Sequence, residues 1–360
     1  MTLNQVNLLS TSLSENLDVE DIYNYLNKTG LNKKLDQQIF DQIINKLTDN
    51  IFAYGFDNIV TKYNSNLTSN LKDWNNLKKK VIDTNNISST STTGIAIIKR
   101  YMPHIYEVEN FKGKSIKKLF TKENIKSALI VNRKTHSTPY VSEFIRQLGF
   151  MAGTTKVTIY RPLLTKRIVK YYNAKNVLDV CVGWGGRMLG SSCLEDVKYT
   201  GIEPLSKTFD GLSKIKSELN LKNVTLINDK AENVINSLNK EYDLALTSPP
   251  YYNLEIYSNE ETQSHHYGSY ESWKQLFLIP VVIGVINCLV DKGKSCWSVK
   301  NFKTDKKYNL FDDIKAIHED NGWKLTEEEF FVGNNIRPGL KSKTGGAAKS
   351  KEITYVFTKK

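Results

Sequence analysis

The sequence predicts an α/β architecture built on a mostly parallel sheet, preceded by a helical N-terminal region, and three observations carry that prediction. From residue 174 onward, strand-like runs alternate with segments long enough to hold crossover helices. A glycine-rich turn, GWGG, follows the first of those runs, as a strand-to-helix turn approaching a ligand requires. Residues 1–82 are instead polar and rich in Asn, Lys and Leu, with apolar residues at helical spacing.

In chain order, Leu35, Ile39, Ile43 and Leu47 fall on one helical face, so small amphipathic helices are expected through residues 1–82. DTNNISSTSTTG then clusters Ser, Thr, Asn and Gly without periodicity, and a linker is placed at 83–95. Residues 96–153 make a basic, mainly helical connecting segment. It includes the expected helix STPYVSEFIRQLGF, 137–150, where Ser137 suits the cap and Pro139 the first turn. The α/β domain is placed at 154–360. AKNVLDVCV, VKYTGIEP, VTLIND, YDLALTS and KSCWSVKNF read as five strands, and GWKLTEEEFFVGN and KEITYVFTKK as a closing hairpin around the basic loop RPGLKSKTGGAAKS. The run LFLIPVVIGVINCLV, 276–290, is short and interrupted by Pro280, Gly284 and Asn287, which suits a core helix and not a membrane span.

Composition narrows the function classes. Cys181, Cys193, Cys288 and Cys296 form no C-x-x-C pair and sit in or beside apolar segments, as buried thiols of a reducing compartment do. The five histidines show no metal-ligand spacing; His265 and His266 are adjacent, and no metal is expected. The N-terminal MTLNQVNLLSTSLSENLD lacks a basic stretch followed by an apolar core, so a cytosolic location is expected, with a nuclear or viral context left open. The formal net charge of +12 is concentrated: residues 96–176 carry 17 Lys and Arg against 4 Asp and Glu, while the flanking segments are close to neutral. Such a block attracts polyanions, with nucleic acid the first candidate. Lys112, Lys114, Lys117 and Lys118 are the expected contacts, and Arg337, Lys341 and Lys343 of the terminal loop form a competing patch.

Two motifs carry the chemistry. Gly183 and Gly185 permit a tight turn and close ligand approach after the strand ending in Asp179. Glu203 ends the second strand, where an acid can bind ribose hydroxyls, and Asp229 follows the third, placed to meet an adenine edge. A dinucleotide site would need a third glycine where Met188 stands. After the fourth strand comes Ser248-Pro249-Pro250-Tyr251, in which the prolines stop the strand and hold a rigid extended turn.

The order Asp179, Gly183-x-Gly185, Glu203, Asp229, S-P-P-Y resembles class I S-adenosylmethionine-dependent amino-methyltransferases, which methylate exocyclic nitrogens of bases; the similarity covers roughly residues 155–360. In that family the fourth motif is Asp, Asn or Ser, then Pro-Pro and an aromatic, and Ser248 to Tyr251 match each position. Cys181 stands where small-molecule methyltransferases usually carry a glycine, and the base-modifying branch often has a bulkier residue there. TTKVTIYRPLLTKRIVKYY, 154–172, is similar to the segment that covers the cofactor's methionine end. GWGGR after a strand-end Asp also resembles methylases of bacteriophages and other large DNA viruses. Motif order resembles adenine-N6 enzymes and the serine cytosine-N4 enzymes, so the base stays open.

The resemblance implies a Rossmann-like sheet of seven strands, the last antiparallel. It also implies S-adenosylmethionine as cofactor and DNA as substrate, with RNA the alternative. Ser248 Oγ and the Pro249 carbonyl would accept the amine N–H groups, and Tyr251, or Tyr252 if the turn faces the other way, would stack the flipped base. Trp184 is expected either to shield the cofactor or to fill the core. Protein glutamine methylation and a catalytically inactive nucleic-acid-binding subunit are the remaining alternatives.

Overall fold

The computed structural model describes residues 37–83, 91–135, 141–151, 157–335 and 350–360. Among these residues its largest feature is a sheet of seven strands: β1 (Asn176–Asp179), β2 (Lys198–Ile202), β3 (Val224–Ile227), β4 (Tyr242–Thr247), β5 (Leu289–Val299), β6 (Trp323–Asn335) and β7 (Ser350–Lys359). They lie in the order β6-β7-β5-β4-β1-β2-β3. β1 pairs in parallel with β2 and β4, β2 with β3, and β4 with β5; β7 alone runs against its neighbours. Strands covered on both faces read as near-continuous apolar runs, and in β4 every residue except Asp243 is buried. The chain therefore has the mostly parallel, Rossmann-like seven-stranded fold of the class I methyltransferases.

The helices of seven residues or more among the described residues, in chain order, are α1 (Gln37–Tyr54), α2 (Phe56–Ser65), α3 (Asn70–Lys79), α4 (Ile95–Tyr101), α5 (Lys122–Thr135), α6 (Val141–Met151), α7 (Pro162–Tyr171), α8 (Gly186–Ser192), α9 (Ser206–Glu218), α10 (Ile279–Cys288) and α11 (Leu310–Asp320). The apolar run 276–290 is split: one π-helical turn (Lys274–Leu278) runs directly into α10, with Pro280 two residues past the junction, and the run ends in a strand. Leu289 already belongs to β5, so the fifth strand starts five residues before the expected Lys294. No helix among the described residues is long and apolar enough to cross a membrane.

The chain divides into two compact units, Met1–Leu67 with Pro103–Val157, and Thr68–Met102 with Thr158–Lys360. In the first, α1, α2, α5 and α6 enclose Leu47, Ile51, Ile59, Ile125, Phe144 and Leu148. The buried face of α1 is Ile44, Leu47 and Ile51; Leu35 lies outside the described residues, as do Ser137 and Pro139, and α6 is described from Val141.

These units cut the chain differently from boundaries at 82, 95 and 153, and specific bonds explain why α3 and α4 go with the sheet. Asp73 of α3 accepts from the backbone N–H groups of Gly94 (2.9 Å) and Ala96 (3.1 Å), satisfying donors at the start of α4. The buried Lys166 ammonium of α7 donates to the carbonyls of Leu77, Lys78 and Lys80 at 2.8–2.9 Å, closing the C-terminus of α3 with a cation. The composition break at 83–94 is thus bracketed by one packed unit.

Candidate active site

β1 and β4 are central neighbours whose onward connections leave toward β2 on one side and β5 on the other. Ligands of open α/β sheets bind at such a switch point, beyond the carboxyl ends of the strands. The motif residues converge there because each follows a strand: Asp179 ends β1, Glu203 follows β2, Asp229 follows β3 and Ser248 follows β4.

The glycine turn has three distinct requirements. Gly183 (φ 57°) and Gly185 (φ 85°) adopt left-handed backbone that other residues rarely take. Around Gly183 a Cβ would find nothing within 4 Å, so its backbone borders open space. At Gly186 a Cβ would stand 2.0 Å from the Tyr160 carbonyl oxygen, so the start of α8 touches the segment leading into α7.

Asp179 is expected at the cofactor, but it is fully buried beneath this turn and occupied by the chain itself. One carboxylate oxygen accepts from Arg187 Nε and Tyr199 Oη, each at 2.8 Å, and the other from the Cys181 N–H at 3.3 Å. Arg187, also buried, donates to the carbonyls of Cys181 and Val182 and lies 5.3 Å from the Tyr160 ring centroid. Burial alone would lower the Arg187 pKa; the Asp179 carboxylate more than reverses this. Asp179 therefore reaches a ligand only through the loop it braces. Arg187 and Tyr199 were not singled out from sequence. The Arg of GWGGR, set directly after the glycines at the head of an apolar helix, was the available signal.

Glu203 is differently placed. Its oxygens accept one backbone N–H each, from Gly183 (2.8 Å) and Leu205 (3.0 Å), which leaves acceptor capacity on both. Burial pushes its pKa up to about 7 against the two backbone bonds that lower it. Asp229 is half-buried and accepts from the Lys230 N–H (2.7 Å) and Asn233 Nδ2 (2.8 Å) through one oxygen. The paired oxygens of Glu203 suit vicinal hydroxyls and the bare Gly183 backbone suits close approach, so these residues fit S-adenosylmethionine. Trp184 is nearly buried, its ring tilted on Tyr257 at 5.9 Å.

At the fourth motif the Ser248 hydroxyl donates to the Ser298 carbonyl at 3.0 Å, which uses its proton and leaves the oxygen as an acceptor. Pro249 is buried and Pro250 half-buried. Tyr251 is half-buried and meets Phe302 edge-on at 5.4 Å. Tyr252, the alternative platform, is in the core: it is 7% exposed, donates to the Gly268 carbonyl and packs against Tyr270, Trp273 and Tyr308. Its φ of 48° marks where the chain reverses after the motif.

The predicted basic contacts divide. Lys117 is paired with Asp57 (2.9 Å) and Glu107 (3.0 Å), and Lys118 with Glu109 (2.6 Å). Lys112 and Lys114 are exposed on a turn whose backbone N–H groups both donate to Asn110 Oδ1. Arg337, Lys341 and Lys343 lie outside the described residues. Among the described residues no cluster of His, Cys, Asp and Glu could hold a metal ion.

No family model matches the chain. A curated relative, ribosomal RNA small subunit methyltransferase G of Fusobacterium nucleatum, is 36% identical over 73 residues, covering 20% of this chain and 32% of its own length. Solved structures that are similar include TehB from Haemophilus influenzae (16% identity, 59% of this chain and 66% of that one, TM-score 0.37). Precorrin-6y C5,15-methyltransferase from Geobacter metallireducens (13%, 57% and 90%, 0.37) and a putative rRNA-methylase from Clostridium thermocellum (14%, 56% and 98%, 0.36) are others. The fold class rests on the strand order itself.

Proposed function

We propose that the chain transfers a methyl group from S-adenosylmethionine to an exocyclic amino nitrogen of a nucleic-acid base, with DNA as the first substrate. The observation that carries this reading is the orientation of Ser248: a hydroxyl that donates to Ser298 presents only acceptor lone pairs to an incoming amine. An exocyclic amine is a poor nucleophile because its lone pair is delocalised into the ring. Ser248 Oγ and the Pro249 carbonyl would accept its two N–H groups and favour a tetrahedral nitrogen. The two prolines hold these acceptors still, so little reorganisation accompanies the growing positive charge.

Glu203 would hold the ribose hydroxyls, the Gly183 and Gly185 backbone the close approach, and Asp229 the adenine edge. Bound there, S-adenosylmethionine supplies an electrophilic methyl group on its sulfonium. Tyr251 would stack the flipped base, an interaction of roughly 1–3 kcal/mol that offsets part of the unstacking cost. The methylated nitrogen is acidic and loses its proton to water.

RNA is a second reading, favoured by the 73-residue match to a protein named as a ribosomal RNA methyltransferase. Incubation with methyl-labelled cofactor and separate DNA, RNA and protein pools, followed by nucleoside mass spectrometry, decides between them. Label in N6-methyladenine or N4-methylcytosine from DNA is expected; label in RNA alone moves the substrate, and label only on a ring nitrogen, ribose or protein overturns the amine chemistry.

A further inference from the structure

After β5 the chain forms a tight hairpin in which Phe302 pairs with Tyr308 and Lys303 with Lys307. The two aromatics stack at 4.9 Å and anchor it; both are buried. The S-P-P-Y turn and the residues just after it are tied to the end of β5 and to this hairpin: Ser248 to Ser298 of β5, and Tyr251 to Phe302, Tyr252 to Tyr308 and Asn253 to Thr304 of the hairpin.

The opposite face of the hairpin carries Lys303 and Lys307, both exposed, while the exposed Lys306 in the turn lies over the Tyr308 ring at 5.5 Å. Lys303 and Lys307 are directly opposed, with Cβ atoms about 5 Å apart, and like charges on such a pair disfavour a ladder. The acid within the turn makes no ion pair with them. Asp305 accepts from the Thr304 hydroxyl (2.6 Å) and the Tyr308 hydroxyl (3.1 Å), and among the described residues neither Lys303 nor Lys307 makes an ion pair. A hairpin anchored by its aromatic pair sets these two lysines opposite one another, neither ion-paired among the described residues, and an anion fits between them.

We propose that this hairpin grips the phosphodiester backbone beside the target base, with Lys303 and Lys307 sharing a phosphate. The inference rests on the base-methylating reading and extends it: the polynucleotide is held by the hairpin that packs Tyr251 and directly follows the strand that orients Ser248.

Lys303→Glu separates function from folding, because it converts the repulsive cross-strand pair into an attractive one while reversing charge. Full-length wild-type and variant proteins are compared on short duplex DNA, single-stranded DNA and RNA over a range of salt, alongside thermal melting and calorimetry with S-adenosylmethionine. The expected variant melts no lower than wild type and binds the cofactor equally. It has a raised KM for polynucleotide and a salt slope on duplex DNA shallower by about 0.9 for each phosphate that is no longer neutralised. The duplex, single-stranded and RNA arms show which backbone the clamp prefers. Wild-type methylation of any of these substrates with KM and slope unchanged in Lys303→Glu and Lys307→Gln overturns the clamp and leaves base methylation standing. Wild-type protein that neither binds nor methylates any of them removes the base-methylating reading, and the clamp with it.

Discussion

Glu203 is a carboxylate asked to be charged in a place that resists charge. Burial raises its pKa to about 7, so the folded chain takes up a proton that the unfolded chain would release. The sign follows: the contribution to stability is fully present below the ordinary carboxylate range and is lost as pH rises through about 7. In the proposed site, ribose hydroxyls would donate to the ionised form, so cofactor binding would run the other way. Calorimetry should show affinity for S-adenosylmethionine falling by up to about tenfold per unit as pH drops below 7, with the dependence absent in Glu203→Gln; a flat wild-type profile removes Glu203 from the ribose. The two motif residues should separate kinetically. Ser248→Ala loses one acceptor and should lower kcat by about 10- to 100-fold. Tyr251→Ala loses a stacking face worth roughly 1–3 kcal/mol and should raise KM for polynucleotide as well. Unchanged steady-state kinetics in both variants would leave S-P-P-Y as a structural turn.

At the scale of elements, the glycine turn is held from below by a buried ion pair. Asp179 is 0% exposed and Arg187 5%, and removing either leaves its partner charged in the interior, a loss of about 3–5 kcal/mol. Arg187→Met should therefore lower the melting temperature sharply, and Asp179→Asn in the same chain should restore part of it; no recovery in the double variant would show that the pair is not coupled. This bracing also explains what sequence reading reached and what it missed. β1 to β4 were legible because strands buried on both faces are near-continuous apolar runs bounded by turn residues. The start of β5 was not, because Leu289 follows α10 without a break in hydropathy. The glycines and S-P-P-Y are local signals, whereas Tyr199 on Asp179 and Ser298 on Ser248 join residues 20 and 50 positions apart with no shared period. The unit boundaries escaped for the same reason, since Lys166 at the end of α3 is a contact across more than 80 residues.

For the whole molecule the question is how much of the +12 charge faces a partner. In the block 96–176 much of the excess is already engaged inside the chain: Lys117 and Lys118 face Asp57, Glu107 and Glu109, Lys122 faces Asp49, and Lys166 is buried on carbonyls. Lys112 and Lys114 differ, because Asn110 fixes their turn and presents them beside Phe111, itself 38% exposed and covered by Lys112 at 5.5 Å. A cation already held by carboxylates can neutralise a phosphate only by leaving them, so it displaces few counterions from a polynucleotide and contributes little to the salt dependence of binding. Replacing Lys112 and Lys114 by alanine should flatten the log–log salt slope on duplex DNA by about 0.9 for each phosphate they neutralise. Replacing Lys117 and Lys118 should leave the slope in place and cost about 0–1 kcal/mol of stability for each exposed ion pair. Filter binding across a salt series together with thermal melting reads both quantities on the same four-lysine set. If the slope follows Lys117 and Lys118 instead, those acids release their lysines to the polynucleotide, and the internal pairing does not set the electrostatic surface that nucleic acid meets.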